Sequence, residues 1–163
     1  MSKITKISGR ILYNSRGSKT IEVDVVTDGK FLGRVCAPSG ASVGKFEAVS
    51  FPNNDPEKSL SILNENSNKF IGIDSSDLKQ VHDVIHSIDG TDNYAKIGGA
   101  CAFAITIAAT ESAAKFESKQ IYQMISNKSN LKFPFPLGNI LGGGAHAGPG
   151  TPDIQEILVA FKK

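Results

Sequence analysis

Two histidines stand four residues apart in His82-Asp83-Val84-Ile85-His86. That spacing puts both rings on one face of a helix, as in the zinc-binding H-E-x-x-H motif. Asp83 is a methylene shorter than the glutamate that motif requires, and the sequence offers no third ligand. The apolar stripe of Leu78, Val81, Val84, Ile85 and Ile88 lies on the opposite side of the same helix. Both histidines are therefore expected to face water, and the residues favour a solvated helix face over a metal site.

Three further segments have residue types that could do chemistry. Gly142-Gly143-Gly144-Ala145-His146-Ala147-Gly148 could cradle an anion, because backbone N–H groups approach closely where no Cβ intervenes. It lacks both the Walker lysine and the Rossmann spacing, so the glycines alone read as a turn. His146 adds a titratable group directly after a strand end. Gln155-Glu156 lies within an apolar run, which by pattern favours an exposed edge-strand pair over a polar pair facing a site. Ser39-Gly40-Ala41-Ser42-Val43-Gly44-Lys45 could be a lid, its hydroxyl and carbonyl oxygens suited to a hard cation such as magnesium. A plain connector has the same composition, and the residues leave the two readings even.

Composition bounds the setting. With 163 residues, 40% hydrophobic and 21% charged, the chain is ordinary globular material with enough length for one sizeable core. A net charge of +2 gives no electrostatic case for a nucleic-acid or anionic-membrane partner. Cys36 and Cys101 stand in no metal-ligand spacing, which favours free thiols in a reducing compartment. Met1 to Thr5 has no apolar stretch of the signal-peptide kind. The longest uncharged, mostly apolar run, Ile97 to Thr110, is shorter than the roughly 20 residues of a membrane span. The expected location is cytoplasmic.

The elements that must position these groups are legible in the periodicity. Ile21, Val23 and Val25 alternate with Glu22 and Asp24, the pattern of a strand with one wet face. Asp28-Gly29 then predicts a type I′ hairpin turn, which needs positive φ at both positions, and Phe31 to Cys36 is the return strand. Ile4 to Tyr13 is the earlier partner, so the start of the chain is expected to be a three-stranded antiparallel meander. Asp55-Pro56 signals a helix start. The stripe from Leu78 predicts a second helix ending at Asp89-Gly90. Ile97 to Phe116, alanine-rich and apolar all round, predicts a buried helix, and Ile121 to Ile125 a short one. Phe133-Pro134-Phe135-Pro136 reads as a linker, followed by two apolar runs, Leu137 to Leu141 and Ile154 to Phe161, expected to be strands.

Taken together the motifs resemble one family. Asn14-Ser15-Arg16-Gly17 followed by Thr20-Ile21-Glu22-Val23 is similar to the D-S-R-G-N-P-T-V-E-V signature of the enolases (phosphopyruvate hydratases). Pro38 to Gly44, with Glu47-Ala48 beyond, resembles their P-S-G-A-S-T-G-x-x-E-A loop. Asp89-Gly90-Thr91-Asp92-Asn93 resembles their D-G-T-x-N segment, and Pro136 to Gly148 with Gln155-Glu156 resembles the stretch carrying an active-site histidine and a Q-E pair. Pro136-Leu137-Gly138-Asn139 is closest to archaeal-type members. There are departures: Asn14 for aspartate, Ser18-Lys19 for asparagine-proline, Val43 for a lid threonine, and Ser50-Phe51-Pro52-Asn53 for E-x-R-D.

The resemblance implies an α+β, enolase N-terminal-domain-like fold. It places a capping domain over residues 1–130, then the first two strands of an incomplete TIM-type barrel over 131–163. It implies the glycolytic lyase reaction, 2-phosphoglycerate to phosphoenolpyruvate, with two Mg2+ ions stabilising charge that develops late in the reaction. By position Ser39 would ligate a magnesium ion, and His146 and Glu156 would be catalytic. Gly40, Ala41, His146, Gln155 and Glu156 would contact substrate. Arg10 and Glu22 match ion-pair positions at a homodimer interface. The residues after Asn130 are too few for an eight-stranded barrel of about 250 residues, so the expectation is a truncated, inactive part of the enzyme. The two orphan strands are expected to be disordered, to pack back on the domain, or to pair between chains. The alternative is a non-catalytic binding or assembly module that keeps the capping domain.

Overall fold

The computed structural model describes residues 1–40, 43–126, 128, 130–144 and 147–161. The chain divides into two compact units, 1–127 and 128–163.

The first unit opens with three strands in the order β1 (Ile4–Tyr13), β2 (Lys19–Thr27) and β3 (Phe31–Cys36), each antiparallel to the next. The β2–β3 turn has Asp28 at φ 53° and Gly29 at φ 68°, and the Lys30 N–H closes it on the Thr27 carbonyl at 3.1 Å. That is the type I′ geometry whose twist matches the flanking strands. Among the described residues four α-helices follow: α1 (Pro56–Asn66), α2 (Leu78–Asp89), α3 (Gly99–Phe116) and α4 (Ile121–Ile125). Asp55 caps α1 by accepting from the Glu57 N–H, with Pro56 in the first turn, and Asp77 caps α2 by accepting from the Gln80 N–H. At the far end of α2, Gly90 takes φ 68° and donates to the His86 carbonyl, a left-handed stop that costs glycine nothing.

One face of the meander is the core. Ile21, Val23 and Val25 of β2 are fully buried beneath α3, which packs on β2 and β3, while α1 packs on β1. Each such aliphatic side chain contributes about 1.5–3 kcal/mol through the water it leaves. The small side chains of α3 let it come very close. A Cβ built on Gly33 would lie 1.9 Å from the Ala108 carbonyl oxygen and 2.7 Å from the Ser112 nitrogen. The same helix also covers the outer edge of β3. Glu111 accepts from the Arg34 N–H at 2.8 Å, Lys115 donates to the Leu32 carbonyl at 2.7 Å, and the Ser112 hydroxyl donates to the Phe31 carbonyl at 2.7 Å. An open strand edge is thereby satisfied within the chain.

The opposite face departs from the alternation. Glu22, expected to be wet, is buried at 8% exposure. Its cross-strand partner Arg10 forms an ion pair with it, and the Cys36 thiol donates to its carboxylate at 3.0 Å. Beside it Arg34 grips Asp24 with two bonds of 2.7 and 2.8 Å. This Arg34 pairing holds the Asp24 carboxyl below its ordinary range against the opposing effect of burial. A period-2 pattern reports polarity, and long arginine side chains can roof a polar strand face as fully as apolar ones.

The second unit contains β4 (Leu137–Gly142) and β5 (Glu156–Ala160). They pair antiparallel with each other. Neighbouring strands of a regular (β/α)8 barrel run parallel, so this hairpin does not by itself establish a barrel.

Replacing Gly33 by alanine tests the close seating of α3. The added methyl has only helix backbone to meet, so Gly33→Ala is expected to cost about 3 kcal/mol or more in urea unfolding of the first unit. A loss under about 1 kcal/mol, the level of a tolerated surface change, would show that the helix has room to shift.

Candidate functional site

The first turn and the first long loop meet at the end of the sheet. Asn14 leaves β1 and accepts the N–H groups of Arg16 and Ser18 on its Oδ1 at 2.9 and 3.0 Å, with Gly17 at φ 71° completing the reversal. An asparagine that ties its own turn this way has its amide orientation set by the network. The Nδ2 therefore points away and donates to the Ser39 hydroxyl at 2.9 Å. One residue on, an Arg16 guanidinium nitrogen donates to the Gly40 carbonyl at 3.3 Å. Two segments 25 residues apart are thus joined twice. They border a cleft of about 270 Å3 lined by Asn14, Arg16, Ser39, Gly40, Val43 and Glu47 among others.

The loop is anchored at both ends. The Thr20 hydroxyl donates to the Ala37 carbonyl at 3.1 Å, and the Ala37 N–H to the Ile21 carbonyl at 2.9 Å, so β2 holds the loop's root. Beyond the loop, the Glu47 carboxylate accepts from the Gly44 N–H. The Val49 N–H donates to Asn93 at 2.9 Å, and the Gly99 N–H to Val49 at 2.7 Å. That returns the chain to the segment between α2 and α3, which Asp89 organises. Asp89 is buried and accepts from the Thr91 hydroxyl and from the N–H groups of Thr91, Lys96 and Ile97, the three backbone bonds being 2.8–2.9 Å. Burial pushes its carboxyl upward, but the Thr91 hydroxyl and the three backbone donors outweigh burial and hold it below its ordinary value.

The residues named from sequence fall in different places. Ser39 and Gly40 lie together at the cleft and are exposed. Gln155 and Glu156 lie in the second unit beside the glycine run: Gly142 pairs with Glu156, and the Gly143 N–H donates to the Gln155 carbonyl at 2.8 Å. A Cβ on Gly143 would meet the Ile154 carbonyl oxygen at 2.4 Å, which is why position 143 is glycine. Ala41 and His146 lie outside the described residues. Arg10 and Glu22 pair with each other within the chain. The sequence reading passed over Arg16 as a loop anchor, and over Asn14 as the donor to Ser39. The Asx-turn spacing Asn14-x-Arg16 was the available signal.

As a cation site the loop is poor. Magnesium takes near-octahedral oxygen ligation, with at least one carboxylate in most sites. Ser39 offers one hydroxyl, the Gly40 carbonyl is held by a guanidinium, and the Glu47 carboxylate is turned onto Gly44. Among the described residues no group of three His, Cys, Asp or Glu side chains gathers around a point. These residues by themselves do not fit a Mg2+ ion.

Fold and loop geometry define the class: an α+β domain in which a β-meander and a helical layer hold a serine-glycine loop over a small cleft. The family model described as "Enolase, N-terminal domain" matches residues 4–125. The chain is 40% identical over 159 residues to an enolase of Methanosphaera stadtmanae and 39% over 159 residues to one of Methanothermobacter thermautotrophicus, each match covering 97% of this chain and 38% of the relative. It is 40% identical over 162 residues to an enolase of Halorubrum lacusprofundi, covering 98% of this chain and 40% of the relative. The chain belongs to the enolase family, by its N-terminal domain. It spans about two fifths of the length of these relatives.

Asp89 gives a pH prediction. Its folded pKa is depressed, so its stabilisation is full above about pH 4 and is lost as the pH falls through the folded value. Asp89→Asn is expected to cost about 1–3 kcal/mol at pH 7 and to flatten part of the acid loss of stability, while Asp24 keeps its share. An acid profile unchanged in slope would show that Asp89 carries no such linkage.

Proposed function

We propose that the chain is the amino-terminal part of an enolase, a lyase that interconverts 2-phosphoglycerate and phosphoenolpyruvate with magnesium in the cytoplasm. Residues 1–130 form its capping domain, and 131–163 begin its catalytic barrel. The observation that carries this reading is the Asn14–Ser39 bond with its neighbour Arg16–Gly40. It brings two of the family's motifs together in space, as a serine-glycine lid would require.

In this reading the Ser39 to Ala41 segment closes over substrate, its hydroxyl and backbone groups replacing water. A lid of this kind acts by excluding solvent and completing the site. Asn14 holds Ser39 in the ready position, a bond an aspartate could not donate. Gln155 and Glu156 stand with the glycine run in one corner of the second unit, with Glu156 and His146 assigned to orient the substrate or relay its proton. A homodimer or higher oligomer would use the sheet face of Arg10 and Glu22, where these two residues would exchange their mutual pairing for partners across the interface. The chain spans about two fifths of the length of its enolase relatives, and in this reading the isolated chain is expected to have no dehydratase activity.

Grafting the chain tests the reading. The 163 residues would replace the matching segment of the Methanosphaera stadtmanae enolase, and phosphoenolpyruvate formation would be followed by absorbance. The folded chimera is expected to be active with Mg2+, and the isolated chain to be silent. Ser39→Ala in the chimera is expected to lower kcat on the order of a hundredfold. A folded chimera without activity, or turnover by the isolated chain, would contradict the proposal.

A further inference from the structure

The histidine pair of α2 is not alone on its helix face. Tyr94 takes φ 58°, a left-handed conformation that a bulky side chain rarely adopts. The chain around it leaves little choice. Asp89 holds the N–H groups of Lys96 and Ile97, and the Tyr94 carbonyl accepts from Gly98 at 2.8 Å. The result swings the phenol back onto α2. Its oxygen lies 2.7 Å from His82 Nε2 and 3.4 Å from His86 Nε2. The two imidazoles stand edge to face with centroids 4.3 Å apart. Two ring nitrogens from successive helical turns therefore converge on one oxygen.

We propose that His82, His86 and Tyr94 form a binding site for a divalent transition-metal ion of the zinc and copper class. Imidazole nitrogen suits such borderline ions, whereas magnesium prefers oxygen. Two histidines at i and i+4 supply two ligands from one helix face. The third donor is absent from the helix and comes from the loop, which is why the sequence alone offered none. Both histidines are exposed, so the rings can close the remaining distance without disturbing the core. Tyr94 also borders a cleft of about 480 Å3 that includes His82, Ser50 and Phe103, which leaves water access for the remaining coordination positions. On binding, two Nε2–metal bonds and one oxygen–metal bond form. The phenolic proton passes to solvent, as expected when a metal takes a protonated ligand. Asp83, on the same helix, is engaged by Lys79 at 2.8 Å and is not counted as a ligand.

The test is a calorimetric titration of the 163-residue chain with Zn2+ at neutral pH, with excess Mg2+ present throughout. Cys36→Ser serves as the background, to remove the exposed thiol. One Zn2+ per chain is expected. His82→Ala and His86→Ala should each weaken it by about tenfold or more, and Tyr94→Phe by at least about tenfold. A tyrosinate difference absorbance should accompany binding and vanish in Tyr94→Phe. Should a variant fail to fold, the unmodified chain still answers through proton NMR. It has three histidines, and the ring signals of two of them should shift with Zn2+ while the third, His146, does not. No binding, binding unchanged in both histidine variants, or binding unchanged in Tyr94→Phe would each overturn the proposal.

Discussion

The contact between α3 and the meander is the constraint on which the rest of the first unit depends. Gly33 has no side chain, and the helix backbone at Ala108 and Ser112 occupies the space one would need. Alanine and serine along that face of α3 keep the approach close. Because the helix sits so near, its own side chains reach the free edge of β3 and satisfy it. The sheet then has one apolar face under helices and one polar face under arginines. Moving α3 outward would open the core around Val23 and Ile105 and expose the strand edge together, so the two effects reinforce each other.

Within the first unit, the serine-glycine loop and its anchors are suspended from the ends of this sandwich. The Asn14 turn leaves β1 and the Ser39 loop leaves β3, and both start from strands whose register the helix fixes. The loop's far end returns through Val49 to the Asp89-centred segment, which also determines where Tyr94 points. One buried carboxylate thus serves two surfaces: the approach to the serine-glycine loop and the phenol beside the histidines. The electrostatics are local. Arg16 sits on the Gly40 carbonyl of the loop rather than on a carboxylate.

Much of this was legible in residues with a single physical reading. Asp28-Gly29, Asp55-Pro56 and Asp89-Gly90 each mark a backbone conformation that few residue pairs satisfy, and the strands and helices they bound appear where expected. The family motifs named Ser39 and Gly40, and the structure shows both lining one cleft, while the roles assigned to them rest on resemblance. What was illegible depends on long-range geometry. Alternation could not say that Arg10 and Arg34 would cover Glu22. The pairing of β4 with β5 had no short turn to announce it, since thirteen residues separate the strands. Tyr94 looks like an ordinary loop aromatic until Asp89 is seen to hold the amides of Lys96 and Ile97 just beyond it. His146 and Ala41 lie outside the described residues, so their part in the site rests on resemblance.

The account's central claim is that α3 and the three-stranded sheet form one cooperative body, to which β4 and β5 do not belong. Native-state hydrogen exchange across a series of low urea concentrations reads this directly. The prediction is that amides of β2, β3 and α3 converge on a single opening free energy, that of global unfolding, while those of β4 and β5 exchange through a separate, lower-energy opening. If α3 opened independently of β3, or if the hairpin amides shared the sheet's protection, the account would be contradicted.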